Sequence, residues 1–262
     1  MKSKTYGLEV GNVISSNRTG EYRVLSFEKG SKVKLLSLVC GNEVIIRRCT
    51  ACKGGIGNKM YPTVFGVGYL GEGKYKSRDS TDSPKNKYYS VWENMLARCY
   101  YPKTSRYSAY GGKGVTVCSE WKNLQNFAKW FEENYIEGSH LDKDILGDGK
   151  EYNPDVCRFI PQEVNGLLVN SFCNVGKINN LPVGVSPCKG KYQCTLNLDR
   201  TGGYRFNSES ITSVMKYYKK HKTRVVREVV EENKSKLTKD IYDKLSCYTF
   251  EYTKEEIDEY FQ

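Results

Sequence analysis

Long apolar runs are missing from this chain, since no window in its 262 residues approaches the roughly 18 consecutive apolar residues of a membrane-spanning helix. The first residues, MKSKTYGLEVG, contain two lysines but no apolar stretch of the kind that a secretory signal requires. Cysteine is sparse as well, because ten cysteines in this length fall far below the content of a disulfide scaffold. We therefore expect a cytoplasmic protein with reduced thiols and no membrane partner.

Glycine motifs for nucleotide phosphates are also absent. The stretch GVGYLGEG after Phe65 lacks the Gly-Lys-Ser or Gly-Lys-Thr ending of a phosphate loop and the strand, turn and helix of a dinucleotide fold. We expect no nucleotide cofactor. Positive charge is plentiful instead: 41 lysines and arginines against 30 acidic residues give a formal charge of +11. This balance favours a polyanionic partner, with nucleic acid the first candidate.

Short apolar runs broken by glycine and asparagine fill residues 1–62 and predict a small β-rich accessory domain. Its partner is either nucleic acid or another domain. The Cys49-Thr-Ala-Cys52 pair has metal-ligand spacing, but a structural Zn²⁺ site needs two more ligands, and ordinary thiols are the alternative. The glycine-rich, charged stretch at 63–87 predicts a linker.

Residues 88–172 change to helical and then mixed patterns. Apolar residues recur at helical spacing from Trp92 to Cys99 and again from Trp121 to Phe131, which predicts two amphipathic helices. The segments GSHLDKDIL, DGKEYNP, CRFI and PQEVNGLLV then predict a strand, a loop, a strand and a helix. Three cysteines on these elements are expected to pack as small apolar residues, with a zinc site as the alternative: Cys99, Cys118 and Cys157.

Residues 177–250 predict three short strands followed by one long helix, and 251–262 predict an acidic tail. Between Lys177 and Arg227 eleven lysines and arginines stand against two acidic residues, so 11 minus 2 leaves a local charge of +9. Such a bias on a small sheet with a helix behind it favours double-stranded DNA as the partner. The alternative is that this charge only keeps the protein soluble. The whole pattern predicts an α+β protein.

Several segments, taken in order, resemble a bacteriophage-type family of HNH, or His-Me finger, endonucleases. They are WENMLARCY, YGGKGVTVC-EW, LDKDIL, Y-P-C-F-PQE-N and PVGVS-KYQC-Y, and the resemblance extends from about Phe65 to Tyr248. It implies a central ββα-metal core in 88–172 and a C-terminal domain similar to the ethylene-response-factor fold, which lays a three-stranded sheet in the major groove. It also implies a bacterial host cytoplasm if a phage encodes the chain.

The resemblance implies that Asp142 and Asn165 hold Mg²⁺ or Mn²⁺. A ββα topology brings the end of the first strand next to the helix, so a carboxylate and an amide at these positions can share one ion. The alternative is that Asp142 caps a turn and Asn165 is an ordinary polar residue of the helix.

Two positions depart from the family pattern. Lys143 occupies the place of the general-base histidine, and Val156 replaces the asparagine that usually locks the hairpin. A lysine with its ordinary pKa of about 10.4 is protonated at neutral pH, so Lys143 suits a phosphate contact better than proton abstraction. His140 shares a strand face with Asp142 at about 6 to 7 Å along the strand and is a candidate base. Asp144 is a candidate second carboxylate, or an ion-pair partner of a lysine.

The resemblance also implies that DNA contacts come from basic or aromatic residues of the C-terminal sheet: Lys189, Lys191, Tyr192, Arg200 and Arg205. The main hypothesis is a metal-dependent DNA endonuclease, with a homing enzyme as one form of it. The competing hypothesis is a DNA-binding or regulatory protein whose nuclease fold has lost its base. The two differ in metal-dependent cleavage. The sequence does not indicate an oligomeric state.

Overall fold

The computed structural model describes residues 7–172, 181–198 and 202–261. The protein is a mixed α and β structure, as predicted, and divides into two compact units. The first unit comprises Met1–Glu133 and Lys150–Asn153, and the second comprises Asn134–Gly149 and Pro154–Gln262. In the described ranges no helix has both the length and the apolar character to cross a membrane.

The strands are β1 (Val13–Ser15), β2 (Glu21–Glu28), β3 (Lys32–Ser37), β4 (Glu43–Arg47), β5 (Thr116–Val117), β6 (Ser139–Asp142), β7 (Glu151–Tyr152), β8 (Arg158–Pro161), β9 (Ser186–Cys188), β10 (Lys191–Leu198) and β11 (Gly202–Ser208). The α-helices are α1 (Arg48–Cys52), α2 (Lys87–Tyr100), α3 (Leu124–Asn134), α4 (Gln162–Phe172), α5 (Ile211–Glu232), α6 (Lys239–Ser246) and α7 (Lys254–Tyr260). Short 3₁₀ turns precede α3 and α6.

An antiparallel sheet of four strands, in the order β1-β2-β3-β4, forms the N-terminal part of the first unit. This confirms its predicted β character. Alternate residues are buried because side chains along a strand point to opposite faces: Tyr22 and Val24 on β2, and Val33 and Leu35 on β3, are at most 1% exposed. Ala51 of α1 belongs to the same core.

The glycine-rich segment, predicted as a linker, is bound to the helices that follow it. The backbone N–H of Tyr69 donates to the Lys122 carbonyl at 2.9 Å, and the N–H of Leu124 donates to the Tyr69 carbonyl at 3.0 Å. A Cβ at Gly68 would lie 2.4 Å from a side-chain carbon of Leu96. Glycine therefore allows close packing here, whereas composition alone predicts flexibility.

The aromatic residues of the two predicted helices form a second core in the first unit. Trp92 on α2 and Phe127 on α3 are 0% exposed, and Trp121 is 2% exposed. The Trp92 Nε1–H donates to the Trp121 carbonyl at 2.6 Å, so the buried indole keeps a hydrogen bond. These aromatics are packing residues, on the buried faces of the helices.

In the second unit β6 and β8 pair as antiparallel strands, and α4 follows β8 directly. Residues from this hairpin, α4, α5 and α6 share one hydrophobic cluster, called here the hairpin core. Its buried members are Ile145, Ile160, Val164, Leu168, Val226, Val230, Ile241 and Leu245. The hairpin and the C-terminal helices therefore stabilise each other.

The C-terminal sheet is antiparallel in the order β11-β10-β9, and α5 packs on one of its faces, as predicted. Lys189 and Gly190 join β9 to β10 with φ of +48° and +77°, the backbone of a two-residue hairpin turn. The buried residues between sheet and helix, called here the sheet core, are Val185, Cys194, Leu196, Val214, Met215, Tyr218, Phe250 and Tyr252.

The last residues, predicted as an acidic tail, pack with the C-terminal sheet and α5, and these elements together are called here the sheet module. Phe250 and Tyr252 are 4% and 6% exposed in the sheet core. Helix α7 begins with a capping box between Thr253 and Glu256, and the Glu256 carboxylate also accepts the N–H of Val183 at 3.0 Å. The apolar residues before the acidic stretch anchor it.

The boundary between the two units falls between Glu133 and Asn134, inside the domain predicted at 88–172. Glu151 and Tyr152 pair in parallel with Thr116 and Val117 inside the first unit, which includes Lys150–Asn153, whereas Asn134–Gly149 and Pro154–Gln262 belong to the second unit. Because the strand has two residues within a turn-rich loop, its pairing has no strong periodic signal in the sequence.

Candidate functional site

The β6–β8 hairpin determines which way Asp142 points. His140 is paired with Ile160, and residues directly opposite each other in an antiparallel pair lie on the same face. Ile160 packs with Val164 and Leu168 of α4 in the hairpin core. Since His140 and Asp142 are two residues apart on one strand, both lie on the hairpin face that carries Ile160, and α4 packs against that face at Ile160.

The Asp142 carboxylate caps the turn after β6. Its Oδ1 accepts the backbone N–H groups of Asp144 and Ile145, each at 2.9 Å. Burial raises the pKa of this carboxyl, and the two N–H donors act in the opposite direction. The turn-capping alternative is therefore present in the structure. Within the described residues Oδ2 accepts no hydrogen bond, so this oxygen is available to a ligand.

Lys143 is 4% exposed, and its Nζ lies 2.6 Å from Asp144 Oδ1. An ammonium group is a donor with no lone pair to accept a proton, and this one is held by a carboxylate. Gly149 has a φ of +76°, and a Cβ there would lie 2.6 Å from Asp144 Oδ1. The loop therefore closes over an ion pair, and Lys143 and Asp144 satisfy each other.

Asn165 lies in the first half of α4 and is partly buried. The buried stripe of this helix runs through Val164 and Leu168. Asn165 follows Val164 and precedes Leu168 by three residues, so it lies on the flank of the stripe rather than on the solvent face. His140, the third residue of the predicted site, is exposed.

The donor types fit a hard divalent cation such as Mg²⁺, which prefers carboxylate and amide oxygens and keeps several waters. Asp142 supplies one negative charge, and Asn165 supplies an amide oxygen. Within the described chain no cluster of three or more histidine, cysteine or acidic side chains has metal-binding geometry. A cation at Asp142 and Asn165 would therefore complete its coordination with water or phosphate oxygens.

The open face of the C-terminal sheet is defined by strand alternation. Cys194 and Leu196 on β10 point into the sheet core, so Lys191 and Thr195 point away from α5. Arg205 pairs with Thr195 and is exposed on the same open face. The predicted contacts Lys191 and Arg205 therefore face outward, and Lys191 lies 3.2 Å from Glu209 in an exposed ion pair.

The other predicted DNA contacts differ from these two. Tyr192 lies on the same strand face as Cys194 and is partly buried against the sheet core, so it does not share the open face with Lys191 and Arg205. Lys189 is exposed in the turn before β10. Arg200 lies outside the described residues.

Comparison of the chain with protein-family models, with curated proteins and with solved structures gave no match.

The prediction from sequence missed two open-face residues that suit nucleic-acid contacts. Gln193 and Asn207 are paired across β10 and β11, next to the pair of Thr195 and Arg205. Amide side chains offer both donors and acceptors, the chemistry that reads base edges. Strand alternation could have identified them, because Gln193 is next to Cys194, which faces the sheet core, and therefore points to the open face.

The local charge of +9 is spread over several surfaces. Among the described residues four cations are exposed on α5 rather than on the sheet: Lys216, Lys220, Arg224 and Arg227. Lys222 on the same helix is buried, at 3% exposure. Only Lys191 and Arg205 lie on the open face of the described strands. The open face is therefore more polar than basic.

The cysteines differ widely in exposure. Cys49 and Cys52 are exposed on α1, whereas Cys99 and Cys157 are buried. Cys118 is partly buried, and burial raises the pKa of its thiol. Burial of Cys99 and Cys157 agrees with the expectation that each packs as a small apolar residue.

Proposed function

We propose that this protein is a metal-dependent DNA endonuclease in which the β6–β8 hairpin and α4 form a ββα active site and the C-terminal sheet contacts the DNA. One observation carries the proposal: α4 packs against the hairpin face that bears Asp142, with Asn165 on the flank of its buried stripe. A carboxylate at the end of one strand and an amide on the following helix suit one divalent ion.

Each residue then has a distinct task. Asp142 and Asn165 would hold the ion through their side-chain oxygens, while Asp142 Oδ1 keeps the turn in place. When bound, the ion supplies charge stabilisation at the scissile phosphate. His140, exposed on the same strand face, accepts the proton of the attacking water. The ion pair of Lys143 and Asp144 shapes the loop and takes no proton.

Binding is assigned to the open face of the C-terminal sheet. Arg205 can pair with guanine or with phosphate, and Thr195 beside it can contact either. Gln193 and Asn207 extend this row along the two strands and add amide donors and acceptors. Helix α5 supports the sheet from behind through the sheet core. The arrangement suits a sheet lying in the major groove.

A second function, DNA binding without cleavage, is favoured by a different observation. Lys143 stands in the place of the expected general base and is buried in an ion pair. In addition, two backbone N–H groups already occupy Asp142 Oδ1. Lys143, Asp144 and Asp142 Oδ1 thus have partners within the hairpin, which supports a fold that is stable without a metal ion.

The deciding experiment incubates the protein with supercoiled plasmid and Mg²⁺, Mn²⁺ or EDTA. Asp142→Asn is the sharpest variant, because an amide oxygen can still cap the turn while the negative charge is lost. We expect it and Asn165→Ala to reduce metal-dependent nicking by at least about 100-fold. Asp258→Asn, an exposed change on α7, is the matched control and should cut normally.

Three other outcomes are informative. DNA binding without cleavage under any metal ion would support the second function. Cleavage that survives Asp142→Asn would overturn the assigned site. Absence of binding at low salt, where phosphate attraction is strongest, would contradict both functions.

A further inference from the structure

Helix α5 takes part in both hydrophobic cores of the second unit. Val214, Met215 and Tyr218 of its first half lie in the sheet core. Val226 and Val230 of its second half lie in the hairpin core. An α-helix rises 1.5 Å per residue, so its 22 residues form a continuous rod of about 33 Å. The surface assigned to DNA and the hairpin assigned to cleavage are therefore packed on one rigid element.

Lys222 lies on α5 between these two sets of residues. Its side chain is buried, at 3% exposure, and its Nζ donates a hydrogen bond to the backbone carbonyl oxygen of Leu167 on α4. Burying an ammonium group is costly, and an apolar side chain of similar size is often at least as stabilising. Stability alone therefore does not explain a lysine at this position.

The contact of Lys222 is made close to the candidate metal site. Leu167 is two residues from Asn165 on α4, so the hydrogen bond holds the turn of the helix that carries the amide. A second tie acts on the hairpin itself: Arg158, paired with Asp142 across the strands, lies 2.7 Å from Asp240 of α6. Both sides of the site are thus fixed to the C-terminal helices.

We propose that α5 sets a fixed spacing between the DNA-contacting sheet and the Asp142–Asn165 site. Lys222 is then the positioning residue that holds α4 at a fixed place along α5. This inference rests on the proposed endonuclease function. Its consequence is that the cut falls at a constant offset from the bound sequence. A misplacement of about 1 Å at a reacting centre can cost about 100-fold in rate, so a small shift of α4 would be visible in cleavage.

The test compares Lys222→Met with Lys220→Met. Both remove one lysine charge from α5, but Lys220 is exposed. We expect Lys222→Met to bind DNA with unchanged affinity, to lose on the order of 10- to 100-fold in kcat and to scatter its cut positions, while KM stays within about twofold. Lys220→Met should keep the wild-type kcat and cut positions. If Lys222 had only a structural role, Lys222→Met would neither scatter the cut positions nor lower kcat at an unchanged KM.

A distance measurement makes the inference independent of cleavage. Spin labels introduced as unnatural amino acids at Glu163 on α4 and Thr195 on β10, both exposed, report the separation of helix and sheet without DNA or metal. We expect a narrow distance distribution in the wild type that shifts or broadens in Lys222→Met and not in Lys220→Met.

The outcomes separate the two proposals. Wild-type cut positions and kcat in Lys222→Met would overturn the positioning role and leave the endonuclease standing. If the wild-type protein binds DNA but never cuts it, the endonuclease proposal fails and the distance measurement alone decides. A changed distribution then supports the role of Lys222, and an unchanged one overturns it.

Discussion

The hairpin and the open face of the C-terminal sheet differ in the burial of their charged side chains and in the partners of those side chains. Around the hairpin two ammonium groups are buried and bound within the protein, Lys143 by Asp144 and Lys222 by a backbone carbonyl. On the open face Thr195 and Arg205 are exposed, and neither side chain has a hydrogen bond to any described residue.

This difference separates scaffold chemistry from binding chemistry. A charge that is already satisfied inside the protein contributes to a fixed geometry, and a new partner must first displace its present one. An exposed side chain without a protein partner can bind DNA by giving up only water. The sheet is therefore the stronger candidate for contact with a partner, and the hairpin for a preorganised site.

The largest predicted effect tests whether the sheet module depends on close packing. Gly184 has a φ of +80°, and a Cβ there would lie 2.3 Å from the Tyr218 ring in the sheet core. Gly184→Ala should lower the free energy of unfolding by about 3 kcal/mol, because strain from the left-handed backbone adds to overpacking. Urea unfolding followed by circular dichroism measures this loss.

Two controls sharpen the result. Gly190 has a similar φ of +77° but nothing within 4 Å of its Cβ position, so Gly190→Ala should cost only about 1 kcal/mol. The three tryptophans, Trp92, Trp121 and Trp130, all belong to the first unit, so their fluorescence should report a smaller change. Equal losses in the two glycine variants would show that the Tyr218 contact is unimportant.

The two faces of the C-terminal sheet could largely be predicted from the alternation of side chains along its strands. Cys194 and Leu196 mark the buried face of β10, and counting by two places Lys191 and Thr195 outside. The same count assigns Tyr192 to the inside, whereas the resemblance alone implied a DNA contact there. Arg205 follows from the same alternation on β11.

Other features had weaker signals because tertiary packing decides them. The burial of Lys222 is suggested by its place four residues after Tyr218 and four before Val226, on the buried stripe of α5, but its charge argues for exposure. The capping box of Thr253 and Glu256 was visible as a spacing, although the acidic composition around it suggested a tail. Composition was misleading wherever packing determined the environment.

The second prediction tests the buried side of the comparison through pH. Burial lowers the pKa of Lys222 from its ordinary 10.5 to about 8. Between these values the unfolded chain holds more protons than the folded protein, so this group makes stability rise as pH increases from 8 to 10.5. Its full contribution over the interval is about 3 kcal/mol, at about 1.4 kcal/mol per unit of pKa.

Lys222→Met removes this pH dependence, while every other titrating group stays in place. The variant should unfold at higher urea than the wild type at pH 7, where the buried ammonium is most costly, and the advantage should shrink toward pH 10.5. Paired urea titrations across this range measure the difference. A stability difference that stays constant with pH would mean that the ammonium group is not desolvated as its burial implies.

The smallest predicted effect concerns the open face itself. Arg205 is exposed beside Thr195, and removing one such side chain from a DNA interface costs about 1 to 3 kcal/mol. Arg205→Ala should therefore weaken duplex binding about tenfold or more in fluorescence anisotropy. Lys216→Ala removes a cation from α5, behind the sheet, and should change affinity by less than about twofold.

The salt dependence of binding identifies what Arg205 contacts. If the slope of log K against log salt concentration becomes shallower by about one in Arg205→Ala, the contact is to phosphate, whereas an unchanged slope would assign it to a base. If Lys216→Ala weakens binding more than Arg205→Ala does, DNA contacts the helix and the open face is not the binding surface.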